Sequence, residues 1–505
     1  MTENPRDVLQ RIYDTEFGLR PTNFSIKPVH VANGLGRSLT GRSYQSTALA
    51  ETLRRWVRIQ KVGSQEERNP NSAILERYGG AFASRDGDVI DNATLSVLRK
   101  LAFDVLGTDG AVFPDSDMSS YTLSNERFIT RDLSDNRCGL FLARLLTSGV
   151  DGDAANHIRL ILTTDDDPWT TLALPMLQFA EPREEVLDGE VAVFAARADH
   201  LFARRRDKRL VSPILQTMRE AFDRLARFEH TKGSKLNSLR RLVMFGCFVV
   251  HVHVCSRASE AMPGTQRPPI LLDMFDGTRP SLRDASRATL RAAGDAVEVL
   301  LSMRMREHFA EVDAVSEAKR IIAYTNLKDG EHADLRAAFD AYRQDGAVPV
   351  SEALAEAFLQ SGFSMTRGHP IGFLTELGRR AGYLTPWANQ GRGGKLQKRY
   401  GLTTEFLETL IAATVEPDRP LDFPEFLDVL RDSFGIVVGR RVDDAVIRAN
   451  NLTGEPVGTP ISVAEEDLRL NVEALRHAVL DSGYAKAYAD GQTVVTTDPE
   501  NMAVL

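Results

Sequence analysis

The sequence contains only three cysteines, Cys138, Cys247 and Cys255, and no Cys-x-x-Cys pair. So few thiols exclude a disulfide framework of the kind that stabilises small secreted domains. The first residues, MTENPRDVLQRIYDTEFG, are polar and include acids, unlike the start of a secretory signal. The longest apolar run, 242–255, is shorter than the roughly 20 residues that span a bilayer. These features predict a cytoplasmic protein without membrane association.

Complete catalytic motifs are missing as well. The sequence has no G-x-x-x-x-G-K-[ST] phosphate loop, no G-x-S-x-G nucleophile elbow and no H-E-x-x-H zinc motif. Gly34, Gly36 and Gly41 have the wrong spacing for a dinucleotide-binding fingerprint, and no clear βαβ pattern surrounds them. The sequence therefore favours a non-catalytic protein that needs no cofactor.

The bulk composition is that of an ordered globular chain. Hydrophobic residues make up 43% and charged residues 26% of the 505 positions, which excludes disorder of the whole chain. The net charge of −8 argues against a surface that coats nucleic acid throughout, although a local basic face is compatible with it. A chain this long exceeds one hydrophobic core. We predict an N-terminal helical region at 1–115, a central helical domain with α/β elements at 116–330, and a C-terminal region at 331–505.

Helical periodicity dominates the first two regions. Apolar residues three and four apart, with capping residues at the ends, predict helices at 43–62, 91–106, 213–228, 281–305 and 331–347, and another that begins near Lys235. Short β-prone runs predict strands at 158–164, 190–195 and 268–275. The fold class that follows is mainly α with small β elements, an α+β arrangement in several domains.

Beyond residue 330 the pattern changes to short, compact units. Helices are predicted at 351–359, 371–381, 403–415, 422–434 and 463–482, with β-prone segments among them. Asp490-Gly491 lies between two such segments and is a strong hairpin signal. Short helices that lead into a hairpin are typical of winged-helix modules, so we predict a tandem pair of them here.

The run Cys247-FVV-His251-V-His253-V-Cys255 is a candidate metal site. On a strand all four side chains share one face, and on a helix Cys247, His251 and Cys255 align at steps of four. Thiolate and imidazole are the ligands that zinc prefers. Because no second ligand pair lies nearby in the sequence, we favour the alternative, in which the thiols pack as small apolar groups.

The segment Ile270-LLDMFDGT is a candidate catalytic motif. It resembles the first motif of haloacid-dehalogenase-type phosphotransferases, in which one carboxylate attacks phosphorus and a second acts as acid and base. That family places one residue between its aspartates, whereas two residues separate Asp273 from Asp276. The alternative is that these aspartates cap the turn after a strand.

A second acidic cluster, Asp165-Asp166-Asp167, follows a β-prone run and has the oxygen ligands that magnesium requires. A nuclease would add a Glu-x-Lys on a neighbouring strand, and Glu317-Ala318-Lys319 lies in a segment that looks helical. A solvated acidic turn is the favoured interpretation. A metal-dependent phosphotransferase or nuclease is nevertheless the alternative function, with either aspartate group as its site.

The segment 391–400, GRGGKLQKRY, is the strongest binding signal. Its glycines let backbone approach a phosphate, and four cations supply positive charge, while Tyr400 can stack on a base. The predicted nucleic-acid contacts are Arg392, Lys395, Lys398, Arg399 and Tyr400. A second basic run occurs at 204–209. The alternatives are a solvated loop or a loop that docks on an acidic partner.

The stretch that begins at Tyr383 and continues through GRGGKLQKRYGLTTEFLETL and PLDFPEFLDVLRDSFGIVVGR resembles accessory proteins of bacterial anti-phage defence systems linked to DNA methylation or phosphorothioation. The resemblance extends over about a third of the chain and includes no motif with known chemistry, so it implies no residue roles. It implies a non-catalytic adaptor that acts on DNA beside ATPase or nuclease subunits. A protein–protein scaffold is a further alternative.

Overall fold

The computed structural model is mostly helical, with 69% helix and 7% strand, which confirms the prediction of a mainly α protein with small β elements. The residues that the structure describes are 4–22, 26–46, 56, 70–78, 90–106, 125–148, 152–164, 180–184, 212–232, 234–262, 266–344, 347–366, 368–386, 397–449, 453–454, 459–460 and 463–498. They belong to two compact units, each built from separate chain segments. The first unit is Met1–Ile26, Asp207–Met218 and Phe248–Leu505, and the second is Lys27–Arg206 and Arg219–Cys247. The division at 115 and 330 stays a prediction.

Helices and strands alternate irregularly along the chain. Up to residue 271 the elements are α1 (Pro5–Glu16), α2 (Pro28–Thr40), β1 (Arg42–Ser46), α3 (Pro70–Tyr78), α4 (Asn92–Leu106), α5 (Cys138–Thr147), α6 (Asp153–Thr163), β2 (Ala180–Glu184), α7 (Pro213–His230), α8 (Lys235–Ala261) and β3 (Ile270–Leu271). The helices that follow, up to residue 381, are α9 (Pro280–His308), α10 (Val315–Tyr324), α11 (Asp329–Arg343), α12 (Val350–Thr366) and α13 (Pro370–Ala381).

The C-terminal elements are shorter. They are β4 (Leu384–Thr385), β5 (Arg399–Tyr400), α14 (Thr404–Thr414), β6 (Leu421–Asp422), α15 (Phe423–Phe434), β7 (Ile436–Val437), α16 (Arg441–Ala449), β8 (Thr453–Gly454), β9 (Thr459–Pro460), α17 (Glu465–Asp481), β10 (Ala485–Ala487) and β11 (Thr493–Val495). The helices predicted in this region therefore all form, and α12 continues about two turns past its predicted end.

Close backbone packing explains two glycines of the second unit. Gly34 lies within α2, and Gly139 is the second residue of α5. A Cβ atom added to Gly139 would lie 2.1 Å from the carbonyl carbon of Gly34, which is far inside van der Waals contact. The two helices therefore touch through their backbones. Gly34 and Gly36 are helical residues and take no part in a nucleotide-binding loop.

Three predicted elements of the sequence differ from the structure. Residues 158–164, predicted as a strand, belong to helix α6, because the buried side chains of Ile158, Ile161 and Leu162 lie three and four residues apart on one helical face. Residues 43–46 form part of strand β1, which pairs antiparallel with β2, and not the start of a helix. The strand predicted at 268–275 shortens to β3. The segments Asp165-Asp166-Asp167, 190–195 and 204–209, for which the sequence predicts a site, a strand and a basic run, lie outside the described residues.

Helix α8 includes the longest apolar run of the sequence. The run was predicted to be too short for a bilayer, but it belongs to a 27-residue helix that could cross a membrane by length and composition alone. Of its most apolar window, 89% is buried inside the protein. A helix that is apolar on all sides is typical of the interior of a large protein, and the burial of α8 fits that role.

The C-terminal part of the first unit contains three small antiparallel sheets, one of which is the pair β8–β9. Strands β4 and β5 pair as a hairpin, with Leu384 opposite Tyr400. Strand β11 lies between β10 and β6 in a three-stranded sheet, in which Val495 faces Ala485 on one side and Leu421 on the other. The hairpin predicted at Asp490-Gly491 is confirmed, and Gly491 adopts the positive φ that its turn requires. Strand β7 pairs in parallel with β3.

Candidate functional site

Residues from three separate sequence predictions meet inside the first unit. Asp273 follows strand β3, Arg399 and Tyr400 form strand β5, and His251 lies on helix α8. The backbone aligns them, because the Asp273 amide donates to the Tyr400 carbonyl at 2.9 Å. The Tyr400 amide in turn donates to the Ser286 hydroxyl at 3.0 Å. We call this group of residues the Arg399 cluster.

An ion pair lies at the centre of the Arg399 cluster. The guanidinium of Arg399 donates through Nε to Oδ2 of Asp273 at 2.7 Å and through Nη2 to Oδ1 of Asp276 at 2.6 Å. The side chains of Arg399 and Asp273 are 7% and 0% exposed, whereas that of Asp276 is 82% exposed. Only the pair with Asp273 is therefore shielded from water, and its strength depends on both partners staying in place.

Asp273 caps the turn that follows strand β3. Besides its contact with Arg399, it accepts from the Phe275 amide at 3.0 Å and from the Gly277 amide at 2.8 Å. Asp276 and Gly277 both have positive φ, and the Arg399 guanidinium lies against Gly277. This is the capping arrangement that the sequence offered as the alternative. Both carboxylate oxygens of Asp273 are occupied, so the side chain has no open face from which to attack a substrate.

His251 and Tyr400 form a second buried contact. Nε2 of His251 lies 3.0 Å from the Tyr400 hydroxyl, and the two rings meet edge to face. Burial lowers the pKa of His251 to about 3 and raises the pKa of Tyr400 well above its ordinary value. Both side chains are consequently neutral near pH 7. Tyr400 is 1% exposed, so its ring has no face available for stacking on a base in this conformation.

The cysteine and histidine run does not present its four side chains on one face. Because the run lies in helix α8, His251 and His253 point in different directions, and His253 donates instead to the Phe17 carbonyl at 2.9 Å. Burial raises the pKa of Cys255 to about 12 and that of Cys247 further still. The thiols are thus protonated and buried, as expected of cysteines that pack as small apolar groups. Among the described residues no group of three or more histidines, cysteines or acids could hold a metal ion.

The predicted nucleic-acid contacts divide into two sets. Arg392 and Lys395 lie outside the described residues. Lys398, like Arg399 and Tyr400, is buried, and its amine donates to the Pro386 carbonyl across the base of the β4–β5 hairpin. Burial, reinforced by the nearby charge of Arg379, lowers the pKa of Lys398 to about 8. The three described residues of the set are therefore part of the interior in this conformation.

Asn471 is a member of the cluster that sequence reasoning missed. It is fully buried on helix α17, donates to the carbonyls of Leu272 and Val438 at 2.8 Å each, and accepts from the Met274 amide at 2.9 Å. One signal was present in the sequence, because Asn471 lies on the apolar stripe that includes Leu468 and Leu475. A polar residue on such a stripe needs a buried partner.

The interactions within the Arg399 cluster are those of a structural site that holds neighbouring elements together. Its charged and amide groups bond to one another or to backbone. They tie strand β5 to the turn after β3 and to helices α8 and α9, and they tie that turn to helix α17. The cluster positions the base of the β4–β5 hairpin, and the connection between these two strands includes most of the basic segment 391–400. Comparisons of the chain with protein-family models, with curated proteins and with solved structures give no match.

Proposed function

We propose that the protein is a non-catalytic, DNA-associated component of a bacterial defence complex, and that its DNA contact is the basic connection between strands β4 and β5. The supporting observation is the order of elements around that connection. Helix α13 is followed by β4, the segment 386–398 and the antiparallel strand β5. In a winged-helix module a recognition helix leads into such a hairpin, and the hairpin connection is the wing.

Charge distribution supports the same contact. Residues 367–400 include seven arginines and lysines and a single acid, Glu376, within a chain whose net charge is −8. Five of the seven remain when the buried Lys398 and Arg399 are set aside. Glu376 is itself paired with Arg379 at 2.6 Å. Phosphate groups bind where such positive charge is concentrated. The buried Arg399 cluster would hold the base of the wing, and Arg392 and Lys395 would supply its contacts.

A second module of the same type is proposed for residues 404–498. The order helix α14, strand β6, helices α15 and α17, and strands β10 and β11 is that of a winged helix with an insertion between its second and third helices. The sheet order β10-β11-β6 is the one that this architecture requires. The module is acidic, with 18 acids and eight arginines or lysines, so we assign the DNA contact to the first module alone.

Binding of labelled duplex DNA across a salt series tests the proposal. We expect the wild-type protein to bind, with an affinity that falls steeply as salt rises. Lys398 and Arg399 are unsuitable targets because they are buried, so the variant is R392A/K395A. Loss of two phosphate contacts lowers the salt slope by about 2, at roughly 0.9 per contact. The matched control is K319A/R320A, an exposed lysine and arginine on helix α10, which should leave binding unchanged.

Two results would contradict the proposal. One is the absence of DNA binding at low salt, and the other is equal weakening by R392A/K395A and by K319A/R320A. The defence role rests on the sequence resemblance of the C-terminal third, and it has its own test. In the native host, R392A/K395A should reduce protection against phage as much as deletion of the whole gene does.

A further inference from the structure

The first unit has a groove on the second proposed module. It lies between the start of helix α15, the middle of helix α17 and the turn of the β10–β11 hairpin, and its volume is about 690 Å³. This volume is within the range of about 300–1,000 Å³ that is typical of ligand pockets. The groove can therefore take a small group or a short stretch of peptide.

The rim of the groove has an excess of negative charge. Its two arginines already have carboxylate partners, since Arg440 contacts Asp428 at 2.6 Å and Arg476 contacts Glu473 at 3.0 Å. Three further acids line the groove and are exposed, namely Asp422, Glu425 and Asp490. Within the part of the chain that the structure describes, no arginine or lysine forms an ion pair with any of these three. Three uncompensated carboxylates thus face one space.

The floor of the groove is apolar. The buried Phe423 and Leu427 line it, together with Val472 and the exposed Pro424. Lysine and arginine have long hydrocarbon stems that pack on apolar surface while their charged ends stay at a polar rim. An apolar floor with an acidic rim therefore matches a segment of basic residues mixed with aliphatic ones. The same rim repels phosphate, which makes nucleic acid a poor occupant.

We propose that this groove binds a short basic segment of a partner protein, in which arginine or lysine alternates with aliphatic residues. The inference rests on the acids and the floor of the groove and on none of the residues assigned to DNA. A failure of one proposal would consequently leave the other standing. Within the defence complex proposed above, the groove would be the attachment point for a neighbouring subunit.

Fluorescence anisotropy with the full chain tests the groove. The probe is a short labelled peptide in which arginine alternates with leucine, and the comparison peptide has glutamate in place of arginine. The variant E425Q/D490N removes two rim charges and keeps the side-chain shapes, including the Asp490 oxygen that accepts from the Gln492 amide. We expect it to bind the basic peptide about 5- to 10-fold more weakly, since each exposed ion pair contributes up to about 1 kcal/mol.

The matched control is E465Q/D481N. Glu465 lies in the first turn of helix α17, as Glu425 does in the first turn of α15. Asp481 is exposed. Neither Glu465 nor Asp481 lines the groove. The control should bind the basic peptide as the wild type does. Equal weakening by both double variants, unchanged binding by E425Q/D490N, or equal binding of the acidic peptide would each overturn the proposal.

Two further measurements identify other occupants. If E425Q/D490N loses binding of duplex DNA, the groove is a nucleic-acid site and the proposal is wrong. If R392A/K395A binds the basic peptide more tightly than the wild type, the occupant is the basic segment of this chain and no partner protein is needed. Unchanged results in both measurements, together with the weakening expected for E425Q/D490N, support a partner.

Discussion

Replacing Arg399 by alanine would leave the Asp273 carboxylate buried without its cation. Asp273 would keep two backbone donors, from Phe275 and Gly277, but its side chain is 0% exposed and would lose its cationic partner. Removal of one partner of such a buried pair costs about 3–5 kcal/mol. The Asp276 contact adds little, since that carboxylate is 82% exposed and exposed pairs contribute about 0–1 kcal/mol.

Three variants should differ in how much stability they lose. We expect R399A to destabilise the first unit by about 3–5 kcal/mol and D276N by less than about 1 kcal/mol. The double variant R399A/D273N should be less destabilised than the sum of its two single changes, by roughly 1–3 kcal/mol, because the two side chains interact directly. The control R469A removes an exposed arginine on helix α17 that pairs with an exposed glutamate, and its effect should stay within about 0.5 kcal/mol.

Hydrogen–deuterium exchange of peptides that contain strand β5 is the suitable assay. A chain with two compact units need not unfold in a single step, and exchange reports local opening where the change is made. The Tyr400 amide, which donates to Ser286, should lose protection in R399A and keep it in D276N and R469A. Equal protection of this amide in R399A and D276N would refute the buried-pair reasoning.

Two more predictions concern the interior of each unit. Burial holds the pKa of His251 at about 3 in the folded protein, below its unfolded value of about 6.5, so the unfolded state binds the extra proton. The contribution of His251 to stability is present above about pH 6.5 and is lost as pH falls towards 3, by about 1.4 kcal/mol per pH unit. Thermal denaturation between pH 4 and pH 7 should therefore show that the stability of H251F depends less steeply on pH than that of the wild type. In the second unit, G139A would bring a Cβ to within 2.1 Å of the α2 backbone and should cost at least about 1–3 kcal/mol by the same method. G330A, where nothing lies within 4 Å, should be neutral or stabilising, and equal effects of the two alanines would contradict the backbone contact.

Local signals in the sequence are sufficient to predict the elements in which several such signals agree. Helix α9 and helix α7 have long amphipathic patterns, and helix α4 begins where Asp91 accepts from the Thr94 amide, as its capping residue predicts. The β10–β11 hairpin follows from Asp490-Gly491, because glycine there adopts the positive φ of the turn. For segments of this kind the residues within one or two turns of each other contain the necessary information.

Whether a short apolar run forms a helix or a strand, and which residues pair in the Arg399 cluster, depends on tertiary packing. Residues 158–164 fit a strand as well as a helix, and helix α6 forms with its Ala154 amide capped by Asp223 from another helix. The role of Asp273 likewise depends on a distant residue, since its partner Arg399 is 126 residues away in sequence. A buried charge selects whichever cation the fold brings within bonding distance, and that distance is a property of packing, which no local pattern records.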